Sequence, residues 1–360
     1  DKNLKTFGIR YLPQKMLHAQ NIMLKLSPRL LIKKWHTKLN YTIVRNVQVS
    51  VIGAGGEVGA NVSLLLKQNH KISRLQLYDD DEKVIGAAIE LSHLPGGPLV
   101  TGFAGDNLNA AIQSSQLILM VHRVSRKPGN TREDMISANA PFLQRVCRAM
   151  ADENPDAFLA IATNPVNSMV PFASSILYQY GVYNPFKVFG LTQIDTARAR
   201  TYAASAMEVS PRNLFLPVIG GHSDDTVIPL FSCITPAEYF IDPGQAISLT
   251  RLVRRSGTEI VYRKQGSESA VLAVAWSITE FCNTIIDAIC GSEVEATCYT
   301  ANPHFGTRFF SGPAKIGPYG IIQPCKSFTF NDYESFLEIE GKDAEMQFSF
   351  KYFLFYWFHI

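Results

Sequence analysis

The feature that most constrains this chain is a glycine-rich loop set between an apolar run and a helix-forming stretch. Val47-Gln-Val-Ser-Val-Ile52 has the β-branched, nearly continuous apolar character of a strand buried on both faces. It leads into Gly53-Ala54-Gly55-Gly56-Glu57-Val58-Gly59, and a helical pattern follows near 57–69. A second strand, Arg74–Tyr78, ends at Asp79. Residues 83–94 read as helix, and Gln116–Val121 and Phe158–Thr163 as further buried strands. Strands alternating with helices at this spacing predict a parallel sheet covered on both faces. Beyond about residue 193 the pattern changes to long helical stretches at 193–208, 244–264 and 270–290, with shorter strand candidates between them. That predicts a second, mixed α+β region.

The loop explains what such a sheet is for. Glycines permit a tight turn and close backbone approach, and the helix N-terminus offers free N–H groups and partial positive charge to a pyrophosphate. A glycine cluster alone is a weak signal. Asp79 strengthens it, standing twenty residues after Gly59 at a strand end, where an acid hydrogen-bonds an adenosine ribose. Asp80 and Asp81 follow and would repel a 2′-phosphate, favouring NAD over NADP. The fold class is therefore α/β: a Rossmann-type doubly wound parallel sheet followed by a mixed α+β catalytic domain.

Composition sets the outer bounds. Of the 360 residues, 46% are hydrophobic and 18% charged, which excludes a wholly disordered chain and allows a sizeable core. The six cysteines form no CxxC pair, which argues against a zinc ribbon or a thioredoxin-type site; no metal is expected, and free thiols in a reducing compartment are. No apolar run reaches 18 residues, so neither a spanning helix nor a membrane partner is expected.

Charge is distributed unevenly. Residues 1–46 hold ten Lys or Arg and one acid, a net +9, so residues 47–360 carry −6 of the overall +3. The mildly acidic body argues against a nucleic-acid partner. The basic, acid-poor leader has the composition of a mitochondrial transit segment, with Met16 and Met23 as candidate starts and a basic tail as the alternative. The domain expectation is thus 1–46 transit segment, 47–192 dinucleotide-binding domain and 193–360 catalytic domain. From about residue 337 the last becomes an atypical aromatic tail, with eight aromatics in the eleven positions Phe348–Phe358.

Three segments carry candidate chemistry. Arg126 and Arg132 lie six apart around Pro128-Gly129, in a loop where guanidinium forks suit a carboxylate. Two loop arginines alone are more often solvated surface. Asp195 and Arg198 are spaced to share a helix face, as a surface ion pair would be. His222 ends the apolar Pro217–Gly221 run, exposed enough to exchange protons, and histidine is the natural acid–base side chain near neutrality. A lone histidine is otherwise structural.

Together these segments resemble one family, in order and spacing. Gly53–Gly59, Asp79, Arg126–Arg132, Thr163-Asn164-Pro165-Val166-Asn167, Asp195–Arg198 and Gly220-Gly221-His222 are similar to the lactate/malate dehydrogenase superfamily. Ser63-Leu64-Leu65-Leu66, Leu91-Ser92-His93, Gly181–Pro185 and Gly257-Thr258-Glu259 resemble its mitochondrial malate dehydrogenase branch, over roughly 47–335. The resemblance implies a reversible NAD-dependent hydride transfer between malate and oxaloacetate in the tricarboxylic acid cycle, by a homodimer in the mitochondrial matrix. It implies His222 as proton donor and acceptor, oriented by Asp195. Arg198 would clamp the carboxylate beside the reacting carbon, Arg132 polarise the carbonyl, and Arg126 hold the distal carboxylate. Asn164 would contact substrate and cofactor. Gly53, Ala54, Gly55, Gly56, Glu57, Val58, Gly59, Asp79, Asn139, Ala162, Thr163 and Val274 would surround the cofactor.

The sequence also departs from that family. Val121-His122-Arg123-Val124-Ser125 replaces Pro-Ala-Gly-Val-Pro, putting two large side chains where small ones admit the cofactor. Asp224 and Asp225 follow the histidine, Glu268 replaces a glycine, and Val274 replaces a methionine. These departures keep a second reading open: a dehydrogenase-like structural paralogue with weakened or lost turnover.

Overall fold

In the computed structural model, Val47, Val49, Val51 and Ile52 are buried to 1% exposure or less along the first strand, β1 (Val47–Ile52). The polar Ser50 among them is satisfied internally, its Oγ lying 2.5 Å from the Ala111 carbonyl and 2.6 Å from Ser115 Oγ. The structure describes residues 47–122, 124, 132–266, 269–326 and 328–342, without the side chain of Arg132. The basic leader and residues 343–360 of the aromatic tail lie outside the described residues.

After β1 come α1 (Glu57–Leu66), β2 (Ile72–Asp79), α2 (Lys83–Ser92), β3 (Leu99–Ala104), α3 (Leu108–Ile112) and β4 (Leu117–Met120). Then follow α4 (Arg132–Glu153), β5 (Phe158–Ile161), α5 (Val166–Gln179) and β6 (Val188–Leu191). These six strands pair parallel in the order β3-β2-β1-β4-β5-β6. The order reverses between β1 and β4, and such a switch point opens a ligand crevice at the carboxyl ends of the strands. One apolar cluster packs α1 and α8 (Leu272–Ile289) on one face of the sheet, and a second packs α4 and α5 on the other.

The sheet does not stop at residue 192. β6 pairs antiparallel with β9 (Val294–Ala301), which pairs with β10 (Phe309–Gly317). β7 (Val218–Gly220), β8 (Val227–Pro229) and β11 (Gly320–Gln323) complete eleven strands in one sheet among the described residues. The mixed half adds α6 (Gln193–Ala206) and α7 (Pro243–Arg263). Asp242 caps α7, its Oδ1 accepting from the backbone N–H of Gly244 at 2.9 Å and of Gln245 at 3.2 Å, with Pro243 opening the helix.

α8 is long and apolar enough to cross a membrane by length and composition, although no uninterrupted apolar run predicted it. It is 56% buried and packs on α1 and the sheet, as a core helix does. The regular helical pattern also continues past 337: residues 332–342 are helical, and Leu337 is 3% exposed against Ile219, Ile228 and Phe310. All six cysteines are free thiols.

Candidate active site

The glycine loop occupies the mouth of the crevice. Gly53 has φ +95°, and a Cβ on it would stand 2.4 Å from the His122 backbone, so only glycine fits this turn. The Gly53 and Ala54 N–H groups both donate to the Tyr78 carbonyl, at 2.8 and 3.0 Å. Gly56 caps α1 in an extended conformation with no side-chain hydrogen bond, which leaves the first helical N–H groups aimed at an incoming anion. Gly55, Gly56 and Glu57 are exposed, while Val58 and Gly59 are buried beneath them. Asp79 Oδ2 accepts from the Gly55 N–H at 3.0 Å, bringing the carboxylate to the loop's edge. An unblocked helix N-terminus beside an acid at the end of β2 fits a dinucleotide.

The corner around His222 is built from three separate elements. Asp195 lies in the first turn of α6 at 3% exposure, and its Oδ2 is 2.5 Å from His222 Nδ1. Its other oxygen is 3.5 Å from Arg198 Nη1, one helical turn on. Gly220, at φ +98°, turns the chain at the end of β7 so that His222 faces α6; a Cβ there would meet the Thr226 carbonyl at 2.0 Å. Asn167 on α5 fixes the histidine from behind, its Oδ1 accepting from the His222 backbone N–H at 2.7 Å and its Nδ2 donating to Thr226 Oγ1 at 3.2 Å. Sequence reading assigned Asn167 no role; the one signal for it was a second asparagine one helical turn after Asn164.

His222 opens into an apolar pocket lined by Val58, Val121, Ala162, Asn164, Leu191, Ile194, Val274, Ser277 and Ile278. One pocket thus joins the glycine-loop helix to the histidine. Asn139 is drawn into the scaffold. Its Oδ1 accepts from Val124 N–H at 2.9 Å, and its Nδ2 donates to the carbonyls of Met135 and Asn164 at 3.0 and 3.1 Å. Thr163 is fully buried and donates to the His122 carbonyl at 2.6 Å. Arg123, Arg126 and Glu268 lie outside the described residues, as does the side chain of Arg132, which opens α4. Asp224 and Asp225 are exposed, and Asp224 accepts a 3.3 Å hydrogen bond from Thr258.

At the opposite end, the His122 ring stacks on Phe142 of α4, centroids 3.9 Å apart and planes 13° from parallel. Burial holds its pKa below the ordinary histidine value, against the opposing charges of Asp79 and Asp80. Arg145 lies 5.2 Å from the Phe142 centroid and grips Asp80 through two nitrogens, at 3.0 and 2.8 Å. Tyr78 donates to Asp80 and to the Gly105 carbonyl, at 2.8 and 2.6 Å. The hydrogen bond from Arg145 lowers the Asp80 pKa, and burial raises that of Tyr78.

Comparison with known proteins decides the family. Residues 47–190 match the lactate/malate dehydrogenase NAD binding domain, and residues 192–339 match the lactate/malate dehydrogenase alpha/beta C-terminal domain. The chain belongs to the lactate/malate dehydrogenase family. A malate dehydrogenase of Pseudoalteromonas atlantica is 37% identical over 289 residues, covering 80% of this chain and 92% of that protein. The mitochondrial malate dehydrogenase of Macaca fascicularis is 37% identical over 278 residues, covering 77% and 82%. The crystal structure of Cryptosporidium parvum malate dehydrogenase superposes with a TM-score of 0.74 at 26% identity, covering 85% of this chain and 99% of that one. The chain is an NAD-dependent oxidoreductase of this family.

Proposed function

We propose that the protein interconverts malate and oxaloacetate, with His222 as the acid–base group. The observation that carries this is the buried Asp195, which joins His222 to Arg198 at a pocket shared with the glycine-loop helix. A carboxylate oxygen accepts, so the hydrogen between the two residues belongs on His222 Nδ1 and the Nε2 lone pair faces the pocket. Nε2 then takes the hydroxyl proton of malate, and Asp195 stabilises the imidazolium that forms. NAD, held by the glycine loop and Asp79, would supply the acceptor for the hydride that leaves the carbon bearing this hydroxyl. Arg198 meets the carboxylate beside that carbon, and the family resemblance gives Arg132 the carbonyl and Arg126 the distal carboxylate.

The names of the relatives support a dicarboxylic substrate. The basic leader and the mitochondrial relatives support a mitochondrial destination, and the family resemblance supports a homodimer with its dinucleotide and catalytic domains meeting near residue 192. The test is NADH oxidation with oxaloacetate and with pyruvate, in the parent and in Arg126→Gln. The parent should favour oxaloacetate by orders of magnitude, and the variant should lose most of that preference with the bidentate contact. Equal use of both substrates by the parent would overturn the assignment.

A further inference from the structure

The His122–Phe142 stack lies at the part of the crevice where the dinucleotide's other end belongs. Resting on the NAD reading, the glycine loop and Asp79 give that end a direction. The pyrophosphate belongs at the N-terminus of α1 and the ribose at Asp79, so the base lies beyond the end of β2, towards α4. The wall there is Phe142, an aromatic face suited to a purine, with the guanidinium of Arg145, paired to Asp80, 5.2 Å from the ring centroid. In this structure an imidazole already covers that face, and Phe142 is only 6% exposed. The pocket beside His222 is lined instead by the preceding Val121, so the effect of the His122 ring is expected at the adenosine end.

We propose that the His122 ring, stacked on Phe142, occupies the adenine place, so that NAD is held at full strength only when this ring turns aside. The backbone cannot move to make room. The His122 N–H donates to the Ile52 carbonyl at 3.0 Å, and its carbonyl accepts from Thr163 at 2.6 Å. Gly53 packs against its Cα. Side-chain rotation is the remaining route, and each binding event forfeits one ring-on-ring contact. The residue therefore sets cofactor affinity without touching the reacting atoms.

The test uses two halves of the cofactor, titrated by calorimetry into the full chain. ADP-ribose carries the adenosine end, and reduced nicotinamide mononucleotide carries the other. His122→Ala should tighten ADP-ribose and NADH about fivefold, the order of one aromatic stacking contact, and leave the mononucleotide unchanged. His122→Phe, which keeps a ring on Phe142, should bind ADP-ribose no better than the parent. Weaker ADP-ribose binding by the alanine variant would make His122 a platform for the base and overturn the proposal. An equal gain for the mononucleotide would overturn it as well. If neither ADP-ribose nor NADH binds any variant, the NAD reading itself fails, and the proposal with it.

Discussion

The two ends of the crevice are built on different principles. At the His222 end, Asp195 and Asn167 hold the histidine through short polar contacts, Arg198 and Thr226 hold those two in turn, and Asp195 is nearly inaccessible. At the adenosine end, a ring stack and a half-exposed Arg145–Asp80 pair form the wall. A buried charged group is tolerable only when its partners are fixed, so the first arrangement has little room to vary. A stacked wall accepts a change of ring size by rotation. The comparison teaches that the fold can hold its reaction geometry rigidly while adjusting how tightly it grips the cofactor.

The sharpest way to break this comparison is at Asp195. Asp195→Asn replaces the acceptor-only carboxylate that places the hydrogen on Nδ1 with an amide that can also donate, and oxaloacetate reduction should fall about a thousandfold in kcat with little change in NADH binding. Steady-state rates with parallel calorimetry check this. A loss confined to KM would place Asp195 outside proton transfer.

A much smaller effect is expected at Arg145. Arg145→Met removes the pair with Asp80, and with both partners about half exposed the loss of stability should stay under about 1 kcal/mol. The sign with pH follows from the lowered Asp80 pKa. The folded protein holds this carboxyl below 3.8, so its contribution is complete above that value and vanishes as pH falls through the folded one. Urea unfolding of parent and variant should therefore differ at pH 7 and converge in acid. A gap that widens in acid would contradict the assignment of the pair.

Much of this was legible in the sequence, for local reasons. β1, the glycine loop, α1 and β2 declare themselves through a buried apolar run, a glycine cluster and an acid at fixed spacing. α4 and α5 were not read as helices, each carrying an internal proline, Pro141 and Pro171. β7 was legible as the apolar strand before His222, whereas β8, three residues long, is too short for a periodicity to form. The single continuous sheet was hidden because β6 and β9 pair across roughly a hundred residues. The pairing of His222 with Asp195 was legible only through the family resemblance, since their contact spans 27 positions. Asn167 was hidden because its bond is to backbone, and the His122–Phe142 stack because it exists only once α4 folds over β4.

On the proposed mechanism His222 moves the proton while the rest of the crevice binds the cofactor. The direct measurement is the initial rate of NADH oxidation with oxaloacetate for the full chain and for His222→Asn, with NADH binding by calorimetry on the same samples. The account predicts a fall in kcat of about a hundred- to ten-thousandfold, with NADH affinity within about twofold of the parent. A variant that keeps near-parent turnover, or that loses NADH binding in proportion to rate, would contradict it.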